Sequence, residues 1–179
     1  LRGIHVFLRA LAPVLAERPN ARALIVGAPN TRNYGRSAPA GQTWVDVFKR
    51  EVEGQLDMSR VHFVGRIERA QYLDVLAVSA AHVYLTYPFV LSWSLLEAMS
   101  AGCAIIGSNT APVQEFIEDG RNGRLVDFFD VPKLAKTITE ALAEPGGFAS
   151  PRTQARADAI ARYDFQTVAL PAWLNLIGS

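Results

Sequence analysis

Three short apolar runs, Ala23-Leu24-Ile25-Val26-Gly27, Val61-His62-Phe63-Val64-Gly65 and Ala104-Ile105-Ile106-Gly107, each stop on a glycine and are separated by helical patterns. Few architectures accommodate that rhythm. A run of four or five apolar residues suits a strand buried on both faces, and strands alternating with crossover helices build a parallel sheet. Glycine at the closing edge lets a bound molecule approach the backbone, at the end where open parallel sheets take their ligands. The fold class read from this pattern is α/β, an open parallel sheet flanked by helices.

The remaining elements fall around those strands. Residues 1–17 read as a helix with Ile4, Phe7, Leu8, Leu11 and Leu15 on one face. Residues 28–42 carry several Gly, Pro and polar positions and read as a long surface loop. Thr43 caps a helix through residue 56, with Val45, Phe48, Val52 and Leu56 inward. A helix over 71–79 points Tyr72, Leu73, Leu76 and Ala77 at the core, and a strand follows over 83–86. A further helix starts near Leu91 or Ser92 and ends at Gly102. Beyond the third Gly-closed strand come a Pro-initiated helix over 112–118, a tight turn over 119–123, a strand over 124–126 and a helix capped by Asp130 through residue 144. Helices over 151–162 and 165–177 finish the pattern. A crossover helix at the start, with no strand before it, marks a single domain over 1–179 read as a fragment lacking its first strand.

Composition excludes several function classes. With 18 Lys and Arg against 17 Asp and Glu, the net charge is +1, which gives no field to recruit nucleic acid or acidic lipid. No run of apolar residues reaches membrane-spanning length and no signal peptide opens the sequence, so the expectation is a cytoplasmic protein. The lone Cys103 has no partner for an internal disulfide and no metal-ligand spacing around it, so it reads as a small apolar residue opening a buried strand. Triad, zinc and P-loop chemistries fail for want of residues, no metal is expected, and no acidic cluster of a receiver-type signalling domain sits at the strand ends.

The residues that carry chemistry gather on 87–103. The helix that begins there presents unpaired N–H groups and the positive end of its dipole, a site for an anion. Glu97 sits too deep to cap that helix and is too polar to fill core in Leu95-Leu96-Glu97-Ala98-Met99. It reads as an acceptor for hydroxyls of a molecule whose phosphate rests on the helix N-terminus, a nucleotide or nucleotide-sugar; a structurally paired acid is the alternative. Arg2 and Arg66 are placed to reach a diphosphate, or are simply solvated. Ser92 and Ser94 offer hydroxyls or a cap; Tyr34, Trp44 and Tyr87 offer rings for stacking, with packing the better account of Trp44. His5, His62 and His82 are scattered and read as structural.

At Phe89–Cys103 the chain resembles the group 1 (family 4) retaining glycosyltransferases of the GT-B fold, in their nucleotide-binding C-terminal half. Leu95-Leu96-Glu97-Ala98-Met99-Ser100-Ala101-Gly102-Cys103-Ala104 follows the second half of that family's signature. Arg2-Gly3 resembles its Lys-Gly before the first helix, and Leu24-Ile25-Val26-Gly27 and Val61-His62-Phe63-Val64-Gly65 resemble its second strand and base-side loop. Ala111-Pro112-Val113-Gln114-Glu115-Phe116-Ile117, with the Asn122-Gly123 turn before Arg124-Leu125-Val126, looks like a later segment.

The resemblance implies a Rossmann-like donor-binding domain of an enzyme that moves a sugar from a nucleoside diphosphate to an acceptor, retaining configuration, without a metal or cofactor. Glu97 would hold the ribose and Arg2 the diphosphate, the two catalytic positions it implies. Backbone N–H groups of Ser92, Trp93 and Ser94 would receive phosphates, Arg66 and Ile67 would border the base, and Gly27, Gly65, Val90 and Leu91 would line the site. Phe89 stands where the family usually has a first glutamate near the donor sugar, and a phenyl ring accepts no hydroxyl. The acceptor would be bound mainly by a missing N-terminal domain, and the isolated fragment would bind nucleotide without turnover. Two other readings share the architecture: a nucleotide-sugar epimerase, for which no acid–base set is visible, and a degenerate interaction module, which the loss of the first glutamate suggests.

Overall fold

The structure, a computed structural model, describes residues 2–28, 37–87 and 90–178. Among the described residues five strands and eight helices follow one another: α1 (Ile4–Glu17), β1 (Ala23–Val26), α2 (Trp44–Glu51), β2 (Val61–Gly65), α3 (Arg69–Val78), β3 (His82–Tyr84), α4 (Trp93–Ser100), β4 (Ile105–Ser108), α5 (Ala111–Gln114), β5 (Arg124–Val126), α6 (Val131–Ala143), α7 (Ala149–Tyr163) and α8 (Leu170–Ile177). All strand pairs are parallel, as the Gly-closed runs predict. Their hydrogen bonds divide the sheet into two ladders, β1–β2 and β3–β4–β5.

The two ladders are covered differently. On one face of β3–β4–β5 lie Val6, Ala10 and Val14 of α1 with Leu134, Ile138 and Ala141 of α6. On the other lie Leu95, Ala98 and Met99 of α4 with Ala155 and Ala159 of α7. Sealing Leu95 and Met99 completely stabilises the fold by about 1.5–3 kcal/mol each. The β1–β2 ladder is packed by Leu8, Leu11 and Leu15 of α1 together with Val52 and Leu56. Its far face stays open, so β1 is not buried on both faces as expected: Leu24 is 45% exposed.

Helix α1 explains a second difference. The one-faced stripe expected for it omits Val6, Ala10 and Val14, which are as buried as Leu8, Leu11 and Leu15. Helix α1 packs with both clusters at once, so it is apolar around most of its circumference. Of the inward set expected on α3, Leu76 is buried and Tyr72 half-buried, whereas Leu73 and Ala77 are exposed, because neither ladder extends beneath them to cover that side.

Local signals behave as their chemistry dictates. Thr43 Oγ1 accepts from Asp46 N–H while the Asp46 carboxylate accepts from Thr43 N–H, a reciprocal cap on α2. Asp130 Oδ1 accepts from Lys133 N–H at 2.9 Å and starts α6, with Pro132 in the first turn. Three helices are shorter than their patterns: α2 stops at Glu51, α5 at Gln114, and the last one is a wide π turn over Phe165–Ala169 before α8. Pro171 lacks the N–H that regular helix would need there. No helix among the described residues is long and apolar enough to cross a membrane.

Candidate functional site

The carboxyl ends of β3 and β4 are locked together before any site is built. Thr86 N–H donates to Ser108 Oγ at 3.0 Å and Ser108 Oγ donates back to Thr86 carbonyl oxygen at 2.9 Å, both residues being fully buried. From that platform the chain passes Tyr87 and enters α4 at Ser92. Ser92 is the cap: its Oγ accepts from Ser94 N–H at 3.3 Å and lies 2.9 Å from Ser94 Oγ.

Gly3 fixes what stands opposite. Its φ of 68° is left-handed, and a Cβ there would lie 2.4 Å from Leu85 Cβ. Only glycine lets the start of α1 press against the end of β3, and that contact carries Arg2 over the loop before α4. Arg2 Nη1 donates to Tyr84 Oη at 3.1 Å, Thr86 Oγ1 at 3.4 Å and Val90 carbonyl oxygen at 3.3 Å. Tyr84 Oη also accepts from Ser92 N–H at 2.8 Å, so one buried phenol ties Arg2 to the beginning of α4.

These bonds sort the three amides expected to receive phosphate. That of Ser92 is held by Tyr84 and that of Ser94 by the Ser92 hydroxyl. Among the described residues the Trp93 amide has no partner, and its indole is 80% exposed. Leu91 is half-buried and Val90 exposed. Phe89, like Tyr34, lies outside the described residues.

The β1–β2 side reaches the same edge. Gly27 N–H donates to Gly65 carbonyl oxygen at 2.8 Å, and the space a Cβ would occupy above each glycine is open. Gly65, at φ 69°, turns the chain through exposed Arg66 and half-buried Ile67 into α3. Arg69, the first residue of α3, donates from Nη1 to Glu97 Oε1 at 2.5 Å. Glu97 therefore faces this edge from α4, with its side chain 24% exposed while its neighbours Leu95, Ala98 and Met99 are sealed in the core. Tyr72, on the next turn of α3, has a buried hydroxyl with no hydrogen-bond partner. Burial first, then the negative charge of Glu97, pushes its phenol up to about 12.

The remaining sequence candidates are structural. Tyr87 packs edge-on against Phe128 and Phe129, and Trp44 stacks on Phe48 at 5.5 Å between ring centres. His5 sits between Phe48 and Phe128, lowered by burial. His82 is pushed down to about 4 by burial, and Cys103 donates its S–H to Leu76 carbonyl oxygen. Among the described residues no group of three or more His, Cys, Asp or Glu is placed to hold a metal ion. Sequence reasoning missed Tyr84, Arg69 and Tyr72. Tyr84 carries a signal in hindsight, a phenol beside Thr86 at the end of a buried strand; Arg69 and Tyr72 share one face of α3 by their spacing of three. The site is an open edge; a groove elsewhere, lined by Gly102, Pro145, Arg152 and Arg156, lies at the opposite end of α4.

Over 171 residues the chain is 28% identical to a phosphatidyl-myo-inositol mannosyltransferase of Mycolicibacterium smegmatis, covering 93% of this chain and 39% of that protein. Over 147 residues it is 25% identical to spore coat protein SA of Bacillus subtilis, covering 80% of this chain and 37% of that protein. The chain thus spans well under half the length of these relatives. Among solved structures, Anabaena HepE in complex with UDP superposes with a TM-score of 0.81 at 23% identity, over 99% of this chain and 46% of that one. The C-terminal domain of the group 1 glycosyl transferase LpcC from Francisella tularensis superposes with a TM-score of 0.76 at 19% identity, over 92% of this chain and 81% of that one. Residues 1–144 match the family described as glycosyl transferases group 1, and the chain belongs to it.

Proposed function

We propose that this chain is the donor-binding half of a retaining glycosyltransferase, holding a nucleoside diphosphate sugar by its diphosphate and ribose without a metal. The observation that carries the reading is the meeting of Arg2, the start of α4 and Glu97 at one sheet edge. Arg2, held by Tyr84, Thr86 and Val90, brings a permanent positive charge over the loop. A guanidinium stabilises the charge that grows on a diphosphate leaving group as the glycosidic bond breaks, the role a metal fills elsewhere. The Trp93 amide and the dipole of α4 add to that field. Glu97 accepts ribose hydroxyls and fixes the nucleoside, so its contribution is to orientation. Gly27 and Gly65 leave room for the base beside Arg66 and Ile67.

The open edge suits half of a cleft. The second wall, with the acceptor, is assigned to an N-terminal domain outside these residues, and closure of the two excludes water from the transfer. A strand outside these residues is likewise assigned to the space between the ladders. In support, β1 and β3 each pair on a single side among the described residues, and apolar Leu24, Leu73 and Val78 stand uncovered. Phe89, in place of the first glutamate, supports a second reading, a binding module without transfer.

The test is a nuclear magnetic resonance titration of this chain with UDP, GDP and ADP. UDP is present in several of the structural neighbours, including Anabaena HepE. Amide shifts centred on Ser92–Glu97 and Gly65–Ile67 with one nucleotide are the expected result. No shift near Glu97 with any of the three overturns the reading. Transfer by the longer protein that vanishes with Glu97→Ala separates the enzyme from the module.

A further inference from the structure

Glu97 already has a partner within the protein. Arg69 reaches it across from α3 at 2.5 Å and takes Oε1, while Oε2 has no partner among the described residues. Arg69 is itself 72% exposed, and among the described residues Glu97 is its one side-chain partner. On the inner side, one turn further along α3, stands the unpartnered hydroxyl of Tyr72. Native structures rarely leave a buried hydroxyl unpaired without cause. A half-filled carboxylate on α4 and an orphan donor on α3 describe a place built for more hydroxyl partners than the protein supplies.

We propose that Arg69 is a placeholder for the nucleoside: its guanidinium occupies the Glu97 oxygen that one ribose hydroxyl takes on binding, so the diol must displace it. The proposal rests on the reading of Glu97 as a ribose acceptor. The chemistry allows the exchange. Two hydroxyls of a ribose diol match two carboxylate oxygens, whereas Arg69 at Oε1 leaves one. An exposed pair of this kind is weak and shifts an equilibrium by about two- to five-fold, so bound nucleotide can win the carboxylate without a large loss of affinity. Until then the arginine holds the carboxylate oriented toward the edge.

The placeholder makes the protein tolerant of a missing hydroxyl. A 2′-deoxynucleotide needs one carboxylate oxygen and can leave Arg69 in place; a ribonucleotide must remove it. Arg69 therefore compresses the ratio of ribo- to deoxynucleotide affinity, and that ratio is independent of the diphosphate, which is the same in both.

The experiment measures dissociation constants of UDP and 2′-deoxy-UDP, and of the GDP and ADP pairs, for the wild-type chain, Arg69→Ala, Arg69→Lys, Glu97→Gln and the double variant Arg69→Ala/Glu97→Gln. Arg69→Ala is expected to widen the ribo-to-deoxy ratio about two- to five-fold at low salt, Arg69→Lys less, and the widening is expected to vanish in the Glu97→Gln background and at high salt. A ratio that is unchanged or narrower in Arg69→Ala, with Glu97→Gln still weakening ribonucleotide binding, overturns the placeholder and leaves the ribose reading standing. Absence of nucleotide binding, or binding indifferent to Glu97→Gln, overturns both.

Discussion

Two acids on neighbouring helices show how differently one side chain can be used. Asp158 on α7 receives Arg121 through Nη1 at 3.2 Å and Nη2 at 2.6 Å, Asn122 Nδ2 at 2.6 Å and Gln154 Nε2 at 2.8 Å. Asn122, itself buried, also donates to Phe116 carbonyl oxygen and accepts from Glu118 N–H, so the carboxylate anchors the whole 119–123 turn against α7. Among the described residues Glu97 on α4 receives a single donor, from an arginine that is mostly in solvent. A carboxylate whose acceptor sites are filled by the protein has nothing left to offer a ligand. One with an oxygen to spare at a sheet edge does.

Breaking the saturated acid gives the largest effect. Asp158→Ala takes one acceptor from the buried Asn122 amide, which keeps Phe116 carbonyl oxygen, and one from Arg121, which keeps Glu118, and urea unfolding should show a loss of about 1–3 kcal/mol. Nucleotide affinity should stay within about two-fold, because the network ends on the segment after α5, the turn and α7. Glu97→Gln should do the reverse, with little change in the urea midpoint. If Asp158→Ala weakens UDP binding as much as Glu97→Gln does, the division of labour between the two acids is wrong.

The two regions also differ in how far they could be read before the structure. The Asp130 cap and the Ser92 cap rest on interactions within a few residues, and local chemistry announces them. Glu97 was legible as an acid in the wrong place for a cap and for a core. Its partner was not, because Arg69 is 28 positions away in sequence and meets it only through tertiary packing. The same reason hid Tyr84, whose hydroxyl reaches an amide eight residues on around an irregular loop. The burial of β1 was overestimated because an apolar run reports what a strand would tolerate on each face, while only the packed helices decide which face is covered. The second apolar face of α1 is hidden for the mirror reason: helical spacing marks one stripe, and only the two clusters packed against the helix require another.

Tyr84 offers an intermediate case, since it serves both the fold and the site. Tyr84→Phe keeps the ring in the core and deletes the acceptor shared by Arg2 and Ser92 N–H. Thermal or urea unfolding should show about 1 kcal/mol lost, the cost of one buried hydrogen bond. UDP affinity should fall by about three-fold as Arg2 loses one of its tethers. Unchanged affinity alongside reduced stability would move Tyr84 to the Asp158 side of the comparison, as a purely structural group.

The smallest effect is the acid dependence of the Asp158 network, and it needs a difference measurement. Burial pushes the Asp158 carboxyl up, but the hydrogen bonds from Arg121, Gln154 and Asn122 outweigh it and hold the group below its usual range. A carboxyl lowered in the folded state binds fewer protons there than in the unfolded chain, so its stabilisation is present above the unfolded pKa of about 3.9 and is lost as pH falls through the folded value. His82, pushed down to about 4 by burial, acts in a different window. It binds its proton in the unfolded chain first, so stability drops as pH falls from about 6.5 toward 4. Asp158→Asn keeps the His82 contribution and removes the other. The stability difference between wild type and Asp158→Asn should therefore be flat from pH 7 to about 5 and shrink below the ordinary carboxylate range, as the protonated acid comes to resemble the amide that replaced it. A difference that shrinks already between pH 7 and 5 would mean that the network does not hold its carboxyl down.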